Sequence, residues 1–326
     1  MKQSFFPSEM RNANILVTGG CGFIGGGLVK ELVSRGAKVT VVDIYLDPRS
    51  VFSQNKLQKK TNLKILDIRD RQKVLDFFKK IKPEYIIHLA AQPLVDKAYE
   101  NPYESFETNI MGTVNILEAA RLAGGVRGII VASSDKAYGK SDKAYVEDIT
   151  PLKGDHPYDV SKSCEDLIAY SYYKTYNLPI VITRFGNVYG EGDLNFGRII
   201  PDICRSIIKN EVLLIRSDGS FIRDYIYVKD VVSGYIFLLK NIKKVKGEAF
   251  NFSSKDTLSV IEVVKKAEKV LKIKIPMKIL NRAKNEIPYQ HLDDKKIKIT
   301  GWKPSYSINH TLKDTLEWYA NILKSG

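Results

Sequence analysis

Tyr158 and Lys162 stand four residues apart in YDVSK, so on a helix their side chains share one face. An ammonium beside a phenol favours the phenolate and makes tyrosine a usable base near neutral pH. Upstream, Ser133 and Ser134 precede Asp135 and Lys136 in SSDKAYG. A serine, a tyrosine and a lysine meeting beside a hydride acceptor form a site that oxidises a hydroxyl group. A second motif seats the acceptor. In TGGCGFIG, residues 18–25, Gly19, Gly22 and Gly25 recur every third position, and Phe23 and Ile24 open the next element. Glycines there permit a tight turn, let the backbone approach a pyrophosphate and let a helix pack closely on a strand. The phosphates then lie on the helix N-terminus. Asp43 ends the following apolar run, where a carboxylate accepts from ribose hydroxyls and repels a 2′-phosphate. The combination points to NAD rather than NADP.

These residues need a scaffold, and the first half of the chain supplies its pattern. Apolar, β-branched runs at 14–18, 38–43, 63–67, 85–90, 128–133 and 180–185 read as strands. Between them, 23–35, 71–80, 103–123 and 158–176 read as helices. Near-continuous apolar strands alternating with helices predict a doubly wound α/β domain, a Rossmann-like parallel sheet covered on both faces. Its ligand belongs at the carboxyl ends of the strands. After residue 186 the pattern loosens, with helices expected at 198–209, 231–239, 258–271 and 310–324 and strands at 212–216 and 223–228. The expected division is an NAD-binding domain at 12–186 with a returning segment near 226–250. A smaller α/β substrate-binding domain would take 187–225 and 251–326.

The chain has 326 residues, 44% hydrophobic and 27% charged, as a soluble globular protein does. No apolar run of about 18 residues suggests a membrane span, and no signal-peptide core follows the polar start, so a cytoplasmic location is expected. Cys21, Cys164 and Cys204 form no ligand or disulfide spacing and read as free thiols. The four histidines are equally scattered, so no metal site is expected. The formal net charge is +14. Its lysines alternate with apolar residues as solvated faces do, so neither nucleic acid nor membrane is the expected partner. The field would also attract an anionic small molecule.

In order and spacing, these segments resemble the extended short-chain dehydrogenase/reductase family of nucleotide-sugar epimerases and dehydratases. The resemblance spans nearly the whole chain: TGGCGFIG, Asp43, LDIRD at 66–70, HLAAQ at 88–92, TNIMGT at 108–113, SSDKAYG at 133–139, YDVSK, RFGNVYG at 184–190, RDYIYVKD at 223–230 and GWKP at 301–304. It implies that Asp67 and Ile68 border the adenine. It implies that Ala90, Ala91, Gln92 and Asn109 line the dinucleotide, and that Lys162 also holds the nicotinamide ribose. Relatives are usually dimers through two long helices, here 103–123 and 158–176, which implies a homodimer.

Within the family, both epimerisation and dehydration begin with Tyr158 taking the sugar 4-hydroxyl proton while Ser134 bonds O4. Dehydration further needs an acid at the C6 hydroxyl and a base at C5. The Ser/Thr-Asp-Lys form resembles CDP-glucose 4,6-dehydratases, whereas epimerases usually carry small or apolar residues there. The resemblance makes Asp135 the acid and Lys136 an assistant at C5. A lysine base must be neutral, which burial or a nearby cation such as Lys162 would favour. On the substrate side, the family pattern places Asn187, Arg198 and Arg223 on the phosphates, with Arg216 near the base or diphosphate. Guanidinium forks suit phosphate oxygens. YQHLD at 289–293 lacks an arginine that many relatives carry just before this aspartate. The activity implied is an NAD-dependent nucleotide-sugar 4,6-dehydratase, CDP-glucose leading, that makes a 4-keto-6-deoxy sugar for polysaccharide synthesis. The alternative is a 4-epimerase, and a non-catalytic NAD-binding or nucleic-acid-binding protein is the remote one.

Overall fold

The computed structural model of the protein describes residues 10–283 and 286–324. In chain order its elements are β1 (Asn14–Thr18), α1 (Phe23–Ser34), β2 (Lys38–Asp43), α2 (Val51–Gln54), β3 (Asn62–Ile65), α3 (Arg71–Ile81), β4 (Tyr85–His88), α4 (Val95–Glu100), α5 (Pro102–Phe106), α6 (Gly112–Ala123), β5 (Gly128–Ser134), α7 (Pro157–Tyr176) and β6 (Ile180–Phe185). There follow β7 (Asn187–Tyr189), α8 (Ile199–Lys209), β8 (Leu213–Ile215), β9 (Ile222–Tyr227), α9 (Val228–Val245), β10 (Ala249–Phe252), β11 (Thr257–Ser259), α10 (Val260–Leu271), β12 (Met277–Ile279), α11 (Lys295–Thr300) and α12 (Ile308–Lys324). The chain forms two compact units. One holds residues up to 139, 151–184 and 232–250; the other holds 140–150, 185–231 and those from 251 on.

The first unit carries a seven-stranded sheet in the order β10-β6-β5-β4-β1-β2-β3. β1 pairs parallel with β2 and β4, β2 with β3, and β4 with β5. Every residue of β4, and every residue of β1 after Asn14, is buried, as strands covered on both faces require. The chain runs outward through β2 and β3, then returns to the far side of β1 as β4. That reversal opens a crevice at the carboxyl ends of β1 and β4. Beneath it, Leu16, Ile86, Ile129 and Val131 pack against Val74, Phe78, Ile116 and Leu117.

The second unit is built from short pieces. β9 lies between β7, to which it is parallel, and β11, to which it is antiparallel. β8 and β12 form a separate parallel pair. A capping box of Ser259 and Glu262 starts α10, satisfying two orphan backbone donors.

Several boundaries differ from the sequence reading, each for a local reason. α3 runs one residue past the expected 80, to Ile81, and is capped by Lys82, which takes the left-handed conformation itself. β3 stops at Ile65, so Asp67 lies in the turn after the strand, bonded to Arg69. The long helix of 103–123 is α5 and α6 joined by a π-helical turn, Glu107–Met111. α9 starts at once after β9 and runs to Val245 rather than Leu239. β10 went unread because its AFNF run is too short to show a period. Among the described residues no helix is long and apolar enough to cross a membrane. Likewise, no group of three or more potential metal ligands gathers among them.

Candidate active site

The turn between β1 and α1 is shaped by its glycines. Gly19 has φ +69°, and a side chain there would meet the backbone of Ala90 at 2.8 Å. A Cβ on Gly25 would lie 2.1 Å from the Gly19 carbonyl oxygen. Gly22 caps α1 without a side-chain bond, and the first turn, begun by Phe23 and Ile24, holds no acidic residue. The positive end of the helix dipole and its unclaimed N–H groups therefore stay available to an anion. Asp43 closes the other side. Its Oδ2 accepts from Cys21 N at 2.9 Å and its Oδ1 from Ile44 N at 2.8 Å. Burial pushes this carboxyl up, and the backbone donors pull it back. The residues present fit a dinucleotide: a bare helix end for the pyrophosphate and an anchored carboxylate for a ribose.

A polar relay ties this turn to the neighbouring strand ends. Ala90 N donates to Thr18 Oγ1 at 3.2 Å, and Thr18 Oγ1 lies 2.7 Å from His88 Nδ1. On the other side, Thr113 Oγ1 donates to Asn109 O at 2.7 Å and lies 3.0 Å from His88 Nε2. Thr113 must then accept from His88, which assigns the imidazole proton to Nε2 and the Thr18 proton to Nδ1. His88 has no exposure, and burial, followed by the Lys162 charge, pushes it down to about 3. It is a neutral structural histidine. Asn109, in the π-helical turn, accepts from Gln92 N at 2.7 Å. It donates to Gln92 O at 3.2 Å and to Ser161 Oγ at 2.8 Å. Ser161 Oγ in turn donates to Tyr158 O at 2.7 Å. Ala91 sits between Ala90 and Gln92 in this seam. Ile68 packs over Gly112, and its carbonyl accepts from Asn115.

At the end of β5, Ser134 Oγ accepts from Lys136 N at 3.2 Å and donates to Asp135 Oδ1 at 2.9 Å. Asp135 is buried and Lys136 half-buried, so they are not a solvent-facing pair. The next turn is held down by Arg184, which donates to Tyr138 Oη at 2.6 Å and grips Asp166 with two bonds of 2.8 Å. α7 carries Tyr158 and Lys162, both buried. Lys162 Nζ donates to Ala132 O at 2.9 Å and to Glu165 Oε2 at 2.6 Å. Sequence reading used Lys162 as a cation that could keep Lys136 neutral. The Glu165 carboxylate beside it offsets that field.

Two further residues of α7 escaped the sequence reading. Glu165 lies three residues after Lys162, a spacing that brings side chains together on a helix and could have revealed it. Asp159 adjoins Tyr158 and is 4% exposed. Among the described residues nothing donates a hydrogen bond to its carboxyl. Ser163, one turn later, bonds to Ala137 O, so this face of α7 lies on the turn that follows Ser134. Burial pushes the Asp159 carboxyl up to about 6, against the opposing pull of Lys136 and His156.

The second unit holds the four residues matched to phosphate or base. Among the described residues, Asn187 Nδ2 is buried with no hydrogen-bond partner. Arg223 is nearly buried and donates to Ile222 O at 2.8 Å, with Glu286 3.4 Å away. Arg198 reaches Val188 O and Asp193, each at 3.3 Å. Arg216 donates to Gly197 O at 3.0 Å, which brings it beside Arg198. In the YQHLD segment, His291 Nδ1 lies 2.8 Å from Asp224, whose bond raises the imidazole's affinity for a proton.

The chain resembles known proteins over nearly its whole length. The model of the NAD dependent epimerase/dehydratase family matches residues 15–253. CDP-glucose 4,6-dehydratase of Salmonella typhimurium is 32% identical over 324 residues, covering 94% of this chain and 90% of that protein. UDP-glucuronate 4-epimerase of Thermodesulfobacterium geofontis is 31% identical, over 93% of this chain and 95% of that protein. The crystal structure of dTDP-glucose 4,6-dehydratase from Streptomyces venezuelae, with NAD and TYD bound, superposes with a TM-score of 0.85. It is 27% identical and covers 94% of this chain and 97% of that one.

Proposed function

The chain belongs to the NAD-dependent epimerase/dehydratase family, and from that premise we propose that it is a nucleotide-sugar 4,6-dehydratase acting first on CDP-glucose. One observation carries the reading: a buried Asp135, bonded to Ser134 and followed by Lys136 at the carboxyl end of β5. Epimerisation needs no second acid at this place. Loss of water does.

NAD, when bound, supplies a hydride acceptor that later gives the hydride back, so none is consumed. Gly19, Gly22 and Gly25 hold its pyrophosphate in this reading, with Asp43 on the adenosine ribose. Ala90, Ala91, Gln92 and Asn109 form the wall beside it, and Asp67 and Ile68 flank the adenine. Tyr158 takes the proton of the sugar 4-hydroxyl, and the Lys162 charge makes it acidic enough to do so. Ser134 steadies O4. The resulting 4-keto group acidifies the C5 proton. Asp135 then protonates the departing C6 hydroxyl while Lys136 assists removal at C5. Asn187, Arg198, Arg223 and Arg216 take the diphosphate and base. With the hydride returned to C6 and a proton to C5 across the double bond left by water loss, the product is a 4-keto-6-deoxy sugar nucleotide, a precursor suited to polysaccharide synthesis.

The 4-epimerase reading has support in the 31% identity to UDP-glucuronate 4-epimerase. Turnover of CDP-, dTDP-, GDP- and UDP-sugars with product analysis separates the two. A 4-keto product absorbing in alkali is expected, and inversion at C4 alone would refute dehydration. Asp135→Asn should stop water loss yet permit oxidation at C4, by about 100-fold or more in rate for the acid step. Intact dehydration in that variant would remove Asp135 from the acid's role. We also propose a homodimer. Leu122 of α6 and Leu167, Tyr170 and Tyr176 of α7 are exposed apolar side chains that a second copy would cover. A monomeric mass by sedimentation would overturn it.

A further inference from the structure

Glu165, the carboxylate of the ion pair inside α7, has no part in the steps above. Lys162 and Glu165 are both almost wholly buried, with side-chain exposures of 5% and 2%. Nζ approaches Oε2 to 2.6 Å. A lysine ammonium has three N–H donors. One goes to Ala132 O, in the strand that ends at Ser134, and one goes to Glu165. The two acceptors fix the direction of the third. A buried ammonium without a counter-ion is costly and loses its proton readily.

We propose that Glu165 is a positioning residue for Lys162: it keeps this lysine an ammonium inside a dry site and aims its remaining N–H. The inference rests on the reading of Lys162 as partner to Tyr158 and to the cofactor's ribose. The charges around the pair leave Glu165 as the counter-ion. On α7 itself, Asp166 is engaged by Arg184 from β6. From β4 comes His88, held neutral by its threonine partners. From α9 comes Tyr235, buried, with its hydroxyl 3.5 Å from Thr183. Tyr158 is the phenol that the lysine serves. Burial alone would draw the Lys162 proton off; the Glu165 charge, with Tyr158 behind it, reverses the direction and holds the proton on.

The test reads the lysine directly. With [ε-13C]lysine in the full chain, Lys162→Arg identifies the Lys162 signal by its loss, and the signal is followed against pH. In the native protein its midpoint should lie above the ordinary lysine value of about 10.4. Glu165→Gln keeps the shape and an acceptor oxygen but removes the charge, and should lower that midpoint by about one unit or more, a tenfold change in acidity. An unchanged midpoint would overturn the proposal. If the glutamine variant does not fold, the native titration still decides, because a midpoint at or below the ordinary value also overturns it. Turnover gives a second reading: Glu165→Gln should gain an alkaline fall in rate that the native enzyme lacks. The titration needs neither NAD nor sugar. A chain inert toward every sugar nucleotide would therefore refute the dehydratase reading and leave this one to its own result.

Discussion

Replacing Gly25 with alanine tests the cofactor turn most sharply. The added methyl would sit 2.1 Å from Gly19 O and 2.7 Å from the Gly20 Cα. Ordinary contact between such atoms is about 3.5 Å, so the turn and α1 must part by roughly 1.4 Å. Both obstacles are backbone, and no side chain can swing aside. Overpacking of this kind costs about 1–3 kcal/mol. Gly22 provides the contrast: its Cβ would meet Gly19 O at 3.3 Å, a gap that a few tenths of an ångström relieve. Both glycines lie where a pyrophosphate would rest, so both substitutions should weaken NAD binding. Only Gly25→Ala should also lose about 1–3 kcal/mol of stability with no cofactor present; Gly22→Ala should stay within about 0.5 kcal/mol. Urea unfolding without NAD reads the stability, and calorimetric titration reads the binding. Equal unfolding midpoints for the two variants would refute the packing account of this turn.

Two other features make sharp expectations. Asp166→Leu strands the buried Arg184 guanidinium and should cost about 3–5 kcal/mol, most of it recovered when Arg184→Met is added, as a double-mutant cycle in urea will show. Asp159 has a folded-state pKa raised from 3.8 to about 6, so its ionisation opposes folding. The stability present below pH 3.8 is lost as pH rises through about 6, and by linkage the loss approaches about 3 kcal/mol. Asp159→Asn should therefore be more stable than the native chain at pH 8 and no different in this respect at pH 3.5; a gain independent of pH would count against it.

Much of the first unit could be read from the chain because its signals are local and dense. Apolar runs such as NILVT and YIIH admit only a covered strand, and glycines at fixed spacing mark one kind of turn. Tyr158 and Lys162 were visible because four residues is a helical repeat. Glu165 and Asp159 stand on the same helix, yet nothing in their types shows that they are buried. That depends on β5 and the turn after it, which arrive from distant sequence. β10 was missed for a related reason: it is a four-residue run whose pairing with β6 is decided by the whole sheet. In the second unit, resemblance alone pointed to Asn187, Arg198, Arg216 and Arg223. Spacing does not distinguish a ligand arginine from one that caps a loop, and Arg216 is bonded to a loop carbonyl.

The relay through His88 also bears on how such a chain can diversify. Its bonds run in one direction, from Ala90 N through Thr18 and His88 to Thr113 and the Asn109 carbonyl. Thr18, His88 and Thr113 each accept from one neighbour and donate to the next through their side chains, so removing the polar group of any of these three breaks two bonds rather than one. Asn109 is more restricted still, since its amide nitrogen and its oxygen are both engaged, toward Gln92 and Ser161. The strand ends beside the glycine turn and the helix of Tyr158 thus form one hydrogen-bonded part in which single substitutions are costly. None of these bonds involves the second unit, so substitutions on β7, where the Asn187 Nδ2 is buried with no hydrogen-bond partner among the described residues, leave the relay intact.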